Sequence, residues 1–272
     1  MRPVNIKHLS RLANLDAVEK AQQDIALQAD EDARSKFIDD NSTEYSSLRQ
    51  PLWQLGAMKC WYSEATLQQQ QGHVEHYRPK KKVATVQHCG YWWDAFDWTN
   101  LRLAHPTVNL RVTDYLTGKK AGKGTYFPLR DPATRAIDKA SENNEEAVLL
   151  DPVNAQDCRL LCFDLSSGRP IPRFSKDDDE WKFQRADQSI DFYHLAEATW
   201  TMERKDLIDE ISVLCDELIA IASEVPRDVD RYETLAASLM NRIEPLAEFS
   251  SVAMQVLCEK GVLEAVVPVP AV

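Results

Sequence analysis

The chain has 272 residues, with 32 Lys and Arg against 43 Asp and Glu, a formal net charge of −11. At 44% hydrophobic and 28% charged residues it has the composition of a globular protein, which excludes a wholly disordered chain. No run approaches the roughly 18 consecutive apolar residues of a membrane span. The start, Met1-Arg2-Pro3-Val4, lacks the apolar stretch of a secretory leader, so the expected location is cytoplasmic. Taken whole, the acidic total speaks against a simple nucleic-acid coat.

In chain order, Leu9, Leu12, Leu15 and Val18, followed by Ile25 and Leu27, predict an amphipathic helix over 8–29. Residues 30–47 are polar and acidic, the pattern of a solvated helix end and loop. From Pro51 to Pro128 glycine, proline and aromatics concentrate, with five of the seven tryptophans, so short strands and irregular connections are expected. Residues 131–147 read as a polar helix or loop. Ala147 to Leu150 reads as a short buried strand stopped at Pro152. Cys158 to Leu165 would be its neighbour, with Ser166-Ser167-Gly168 as a turn. The acidic run Lys176–Glu180 reads as a solvated loop.

Beyond Leu195 helical periodicity dominates. Leu207, Ile208, Ile211, Leu214, Leu218 and Ile219 form one apolar stripe that Pro226 ends, and two further helices are expected over Tyr232–Ile243 and Leu246–Leu263. The stripe is read as core packing, with a partner surface as the alternative. Val266 to Pro270 reads as an extended tail. Three regions result: an N-terminal helical segment (1–50), a core with associated strands (51–195) and a C-terminal helical region (196–272). The class is α+β.

The six cysteines (Cys60, Cys89, Cys158, Cys162, Cys215, Cys258) form no Cys-x-x-Cys pair and are read as small buried groups. Chemistry concentrates in Gly72-His73-Val74-Glu75-His76-Tyr77-Arg78-Pro79-Lys80. On a regular strand Glu75 and His76 point to opposite faces. At a strand end or bulge they converge, placing a hard-cation ligand beside an imidazole that can take a proton from water. Arg78, Lys80, Lys81 and Lys82 follow and would attract phosphate. The same nonapeptide is also compatible with a surface strand of no catalytic role.

A wider set of blocks bears on that choice: Met1-Arg2-Pro3-Val4, Lys59-Cys60-Trp61-Tyr62-Ser63-Glu64, the nonapeptide, Tyr91 to Leu101, Asn109, Gly122 to Leu129 and Leu149-Leu150-Asp151-Pro152. In this order the sequence resembles the HNH (ββα-metal) endonucleases, especially the bacterial group found with retrons and Septu-type antiphage systems. The resemblance implies a small ββα-metal core with a few extra short strands, embedded in N- and C-terminal helices. It implies His76 as the general base for in-line attack on a phosphodiester and Asn100 as the residue bracing the loop between the two strands. Glu75 and Asn109 would be ligands of one Mg²⁺ or Mn²⁺ ion. His73 and His105 are possible additional site residues, and Arg78, Lys80, Lys119, Lys120 and Lys123 are candidate phosphate contacts.

Many HNH proteins carry two Cys-x-x-Cys pairs around a structural zinc. Here Cys60 alone remains of them, so zinc is not expected. Packing of Trp61, Tyr62, Trp92, Trp93 and Trp98 would hold the motif instead. The implied role is the nuclease effector of an antiphage system, cutting DNA beside an ATPase of the ABC or overcoming-lysogenization-defect type. The stripe at Leu207–Ile219 and the helices after Tyr232 are then candidate docking surfaces. An RNA (tRNA) substrate, or a catalytically silent nucleic-acid-binding or scaffold subunit, remain open alternatives.

The charge divides unevenly. Residues 59–135 hold twelve basic and six acidic side chains, a net +6, which leaves −17 for the rest. The acidic total therefore places a nucleic-acid face on the central segment rather than excluding one, and acidic flanks would restrain unguided binding.

Overall fold

Regular structure begins with a 3-10 turn, Ile6–Arg11, and continues through helices α1 (Asp16–Ile25), α2 (Glu31–Asp40), α3 (Ser42–Ser46) and α4 (Arg49–Leu55). The computed structural model describes residues 1–113, 118, 120–226 and 228–267. The single helix expected over 8–29 is broken, because Asn14 Oδ1 accepts from Asp16 N at 2.7 Å and restarts the chain as α1. Leu12 and Leu27 are consequently exposed. Residues 30–47 are helical rather than looped. Asp30 caps α2 by accepting from Ala33 N at 2.8 Å, and Glu31 and Asp32 complement the helix dipole. Each of these two helices buries one side chain, Ile38 or Tyr45.

The described strands form three two-stranded antiparallel sheets. β1 (His73–His76) pairs with β2 (Leu101–Ala104), and α5 (Pro106–Asn109) follows at once. β3 (Val112–Thr113) pairs with β4 (Lys120–Ala121). After α6 (Ala155–Cys158), β5 (Leu161–Asp164) and β6 (Arg169–Pro172) make a hairpin around the expected Ser166–Gly168 turn. The remainder is helical: α7 (Glu180–Phe192), α8 (Ala198–Ala222), α9 (Val229–Ile243), α10 (Ser250–Glu259) and α11 (Leu263–Val266). The class is α+β with helix predominating.

The apolar run at 147–152 is not a strand. Beyond one bridge from Ala147 to Leu129, it crosses the core with the backbone of Leu149 and Leu150 bonded to side chains. Tyr77 Oη donates to Leu149 O at 2.6 Å, Tyr193 Oη to Leu150 O at 2.9 Å, and Leu150 N donates to Ser189 Oγ at 2.9 Å. Buried backbone is thereby satisfied without a ladder. The strand over Leu161–Asp164 takes β6 as its partner instead. The acidic run before Glu180 ends in a cap, Asp179 accepting from Lys182 N at 2.9 Å, which starts the unexpected α7. Residues 131–147 are loop with two 3-10 turns, Pro132–Thr134 and Ala140–Asn144.

The C-terminal stripe packs inward: Ile208, Ile211, Cys215, Leu218 and Ile221 are buried in α8, while Ile219 is exposed. Docking through Ile208, Ile211 and Leu218 is thereby excluded. The helix expected from Leu246 starts only at Ser250, since Phe249 turns left-handed (φ 48°) beneath it. Of the expected tail, residues 268–270 lie outside the described residues. One connected core runs from Met1 and Leu9 through Trp61 and Leu101 to Val252 and Val266. A second, smaller cluster of Tyr77, Val83, Tyr91, Trp93 and Phe127 lies on the loop side of β1. Among the described residues no helix is long and apolar enough to cross a membrane.

Candidate active site

β1 and β2 pair in unbroken register from His73↔Ala104 to His76↔Leu101, so no bulge redirects the side chains. Glu75 and His76 still line one cavity of about 310 Å³, because His76 is the last residue of the strand. Asn109, Lys80 and Gly124 line the same cavity.

His76 is buried, and its Nε2 lies 2.8 Å from Ala95 O. A carbonyl only accepts, so Nε2 holds the ring proton and Nδ1 keeps its lone pair, 3.3 Å from Lys80 Nζ. Burial, then the Lys80 charge, hold the imidazole well below its ordinary pKa. His76 is therefore a neutral ring with a fixed tautomer. Lys80 sits over the Tyr45 ring at 4.6 Å, and burial lowers its ammonium to about 8 against the opposing pull of Glu75.

Glu75 is also buried. Its Oε2 accepts from Tyr62 Oη at 2.8 Å, and its Oε1 lies 2.5 Å from Lys123 Nζ. Burial, then the Glu75 charge, raise the Tyr62 phenol well above its ordinary range, which keeps it a donor. Asn100 closes the loop between β1 and β2. Its Oδ1 accepts from Arg78 N at 2.8 Å, and its Nδ2 donates to Arg78 O at 3.0 Å and Asp94 O at 3.2 Å.

The aromatic residues of the motif pack as side chains of the fold. Trp61 and Tyr62 are buried, Trp61 donating to Leu52 O at 3.2 Å. Trp93 stacks edgewise on Tyr91, Trp92 lies under Arg34, and Trp98 donates to Glu19 at 3.3 Å.

Asn109 ends α5, half-buried, with Nδ2 3.4 Å from His73 Nδ1. His73 thus reaches Asn109 from the far end of β1 but does not line the cavity. His105 is drawn away altogether: its Nδ1 accepts from Thr107 N at 3.1 Å, capping α5, and its ring abuts Trp200. Among the expected phosphate contacts, Lys80 lines the cavity and Lys120 is exposed on β4. Arg78 is instead committed to Glu145 at 3.1 Å and stacked near Phe127. Lys123 is 1% exposed and commits its ammonium to Glu75 and, at 2.8 Å, to His76 O. Lys119 lies outside the described residues.

Sequence reasoning missed Tyr62 and the Ala95 carbonyl as partners of the pair, and it gave Lys123 to phosphate. The glycines flanking Lys123 were the available signal for a lysine held in a constrained turn.

Among the described residues no group of three or more His, Cys, Asp and Glu could hold a metal. Glu75 and Asn109, which line one cavity, carry oxygen donors of the kind a hard divalent ion takes, while the two Glu75 oxygens face Tyr62 and Lys123. Mg²⁺ is commonly held by one or two carboxylates, with phosphate oxygens and water completing its shell.

The arrangement is a buried imidazole and a buried carboxylate lining one cavity, with an asparagine bracing the loop between β1 and β2. No family model matches the chain. In sequence it is similar to the Septu protein PtuB of Bacillus mycoides (strain KBAB4), 26% identical over 161 residues that cover 57% of this chain. Those residues cover 48% of that protein, so the chain spans about half the length of the curated relative it matches.

Proposed function

We propose that the protein is a metal-dependent endonuclease of the HNH type and the nuclease component of a Septu-like antiphage system. The observation that carries this reading is His76, held by Ala95 O as a neutral base whose Nδ1 stays free of a proton beside Glu75. The order β1, β2, α5, with Glu75 and His76 on the first strand and Asn109 on the helix, supports it. So does the distant similarity to PtuB.

In this reading Lys80 Nζ, 3.3 Å from His76 Nδ1, yields that position to water; Nδ1 takes the water's proton, and the resulting hydroxide attacks phosphorus in line with the leaving oxygen. Asn100 keeps the loop bearing Ala95 at the distance that fixes the imidazole. Lys80 adds positive charge on the cavity wall. Mg²⁺ or Mn²⁺ held by Glu75 and Asn109 would supply Lewis-acid polarisation and charge neutralisation when bound. DNA is the proposed substrate, and an ATPase of the ABC or overcoming-lysogenization-defect type is the proposed partner.

With Mg²⁺ or Mn²⁺, and with the neighbouring ATPase where one is encoded, the protein should nick plasmid DNA, and His76→Ala should stop it. Equal nicking by the two proteins would sink the mechanism. Cleavage of tRNA in preference to plasmid would move the substrate to RNA.

A second reading, a catalytically silent nucleic-acid-binding or scaffold subunit, is favoured by one observation: both Glu75 oxygens already face partners, Tyr62 and Lys123. It is distinguished by binding of nucleic acid without metal and by absence of cleavage with the partner present.

A further inference from the structure

Lys123 is placed with more care than a surface lysine receives. Gly122 and Gly124 on either side have positive φ, 98° and 53°. A Cβ at Gly122 would lie 1.8 Å from Leu110 O, so glycine is required there. Lys123 N donates to Val108 O and Gly124 N to Asn109 O, both at 2.7 Å, which docks this finger along α5. Its ammonium enters a slot closed to solvent and meets Glu75 Oε1 at 2.5 Å and His76 O at 2.8 Å. At 1% exposure it cannot reach a phosphodiester outside. Its charge is directed at the carboxylate.

We propose that Lys123 is a built-in cation that holds Glu75 until a divalent ion replaces it, so that metal entry and release of the Gly122–Gly124 finger are one event. This rests on the reading of Glu75 as a metal ligand. A divalent ion brought to the same oxygen meets a positive charge already in contact with it, and like charges that close in a buried slot repel strongly. The ammonium must leave, giving up its bond to His76 O as well. The finger is tied by its backbone to Asn109, the second proposed ligand, so its release and the setting of that ligand are coupled. The protein is thereby kept in a low-affinity state for metal by its own side chain.

The test is Mn²⁺ binding to the full chain, followed by electron paramagnetic resonance of the free ion, with melting temperature as a second readout. Lys123→Met should bind Mn²⁺ roughly tenfold or more tightly than the unmodified protein, because one unit charge beside the ligand is gone. Mn²⁺ should also raise its melting temperature by more, since the ion supplies the charge that Glu75 has lost. Glu75→Gln should bind no Mn²⁺ at this site. Equal or weaker affinity in a folded Lys123→Met protein overturns the proposal while leaving Glu75-dependent binding intact. Absence of saturable binding in every protein overturns the metal reading and the proposal together. Should Lys123→Met fail to fold, Gly122→Ala displaces the finger and retains the lysine. The same tightening is expected there, and unchanged affinity overturns the proposal.

Discussion

The segment from β1 to β4 and the bundle from α8 to α10 are held by different forces. The bundle buries apolar side chains on long helices: Ile208, Ile211, Cys215 and Leu218 from α8 meet Leu239 of α9 and Val252, Ala253 and Val256 of α10. The central segment has strands of four residues or fewer. It buries polar groups, Glu75, His76, Asn100 and Lys123 with the partners described above, and Arg102, which donates to Asp151 at 2.7 Å. Burial of apolar area tolerates small displacements, whereas a buried charge or amide does not. The difference teaches that substitutions in the bundle should change how much protein is folded, and those in the centre what the folded protein does.

The largest expected effect lies in the centre. His76→Ala should lower cleavage per folded molecule by about 10²–10⁴-fold, the ordinary contribution of a general base, and should cost about 1–3 kcal/mol in urea unfolding because the buried Ala95 carbonyl loses its donor. A stability loss matching the activity loss would erase the contrast. Next, Ile211→Ala, at a fully buried position of α8, should cost about 2–5 kcal/mol in urea unfolding and leave the rate per folded molecule unchanged.

A third test uses acid. Burial pushes the Glu64 carboxyl up, but the Met1 ammonium at 2.8 Å, Lys59 and Ser251 outweigh it and bring it to about 2, from an ordinary 4.5. Its folded value is depressed, so this stabilisation is fully present above about pH 4.5 and is lost as pH falls towards 2. About 3 kcal/mol should disappear over that window, and Glu64→Gln should flatten the corresponding part of the pH profile. Smaller still, Asn100→Ala strips partners from Arg78 N, Arg78 O and Asp94 O. About 1–3 kcal/mol should be lost, with a fall in cleavage because the loop that fixes His76 loosens. A loss of stability with full cleavage would make Asn100 a brace of the fold alone.

The same contrast explains what could be read from the sequence. The α8 stripe and the helix over Tyr232–Ile243 were legible because burial imposes a period on the residues. α2 and α7 were not, since their starts depend on caps at Asp30 and Asp179, and neither was α3, which has no side-chain cap and buries only Tyr45. The run at Leu149-Leu150 was misread as a strand because its hydrogen-bond partners, Tyr77 and Tyr193, lie far off in the chain.

In the centre, the resemblance to the HNH endonucleases pointed to Glu75, His76 and Asn109, which line one cavity, and to Asn100, whose side chain bonds across the loop between the strands. It could not show which basic residues turn inward. Arg78 finds Glu145 and Lys123 finds Glu75 only once the chain has closed on itself. His105 was likewise taken up by a local cap, for which an imidazole serves as well as a ligand site would.

Tyr62, which holds Glu75, rests its ring on Tyr193 at 4.3 Å between centroids, and Tyr193 in turn stands just past the end of α7. The short stretch of sequence bearing the motif is therefore not a portable cassette. Grafted onto another scaffold without α7 and its tyrosine, it would bring the carboxylate but not the wall that aims it, and a chimera built from this protein has to inherit both.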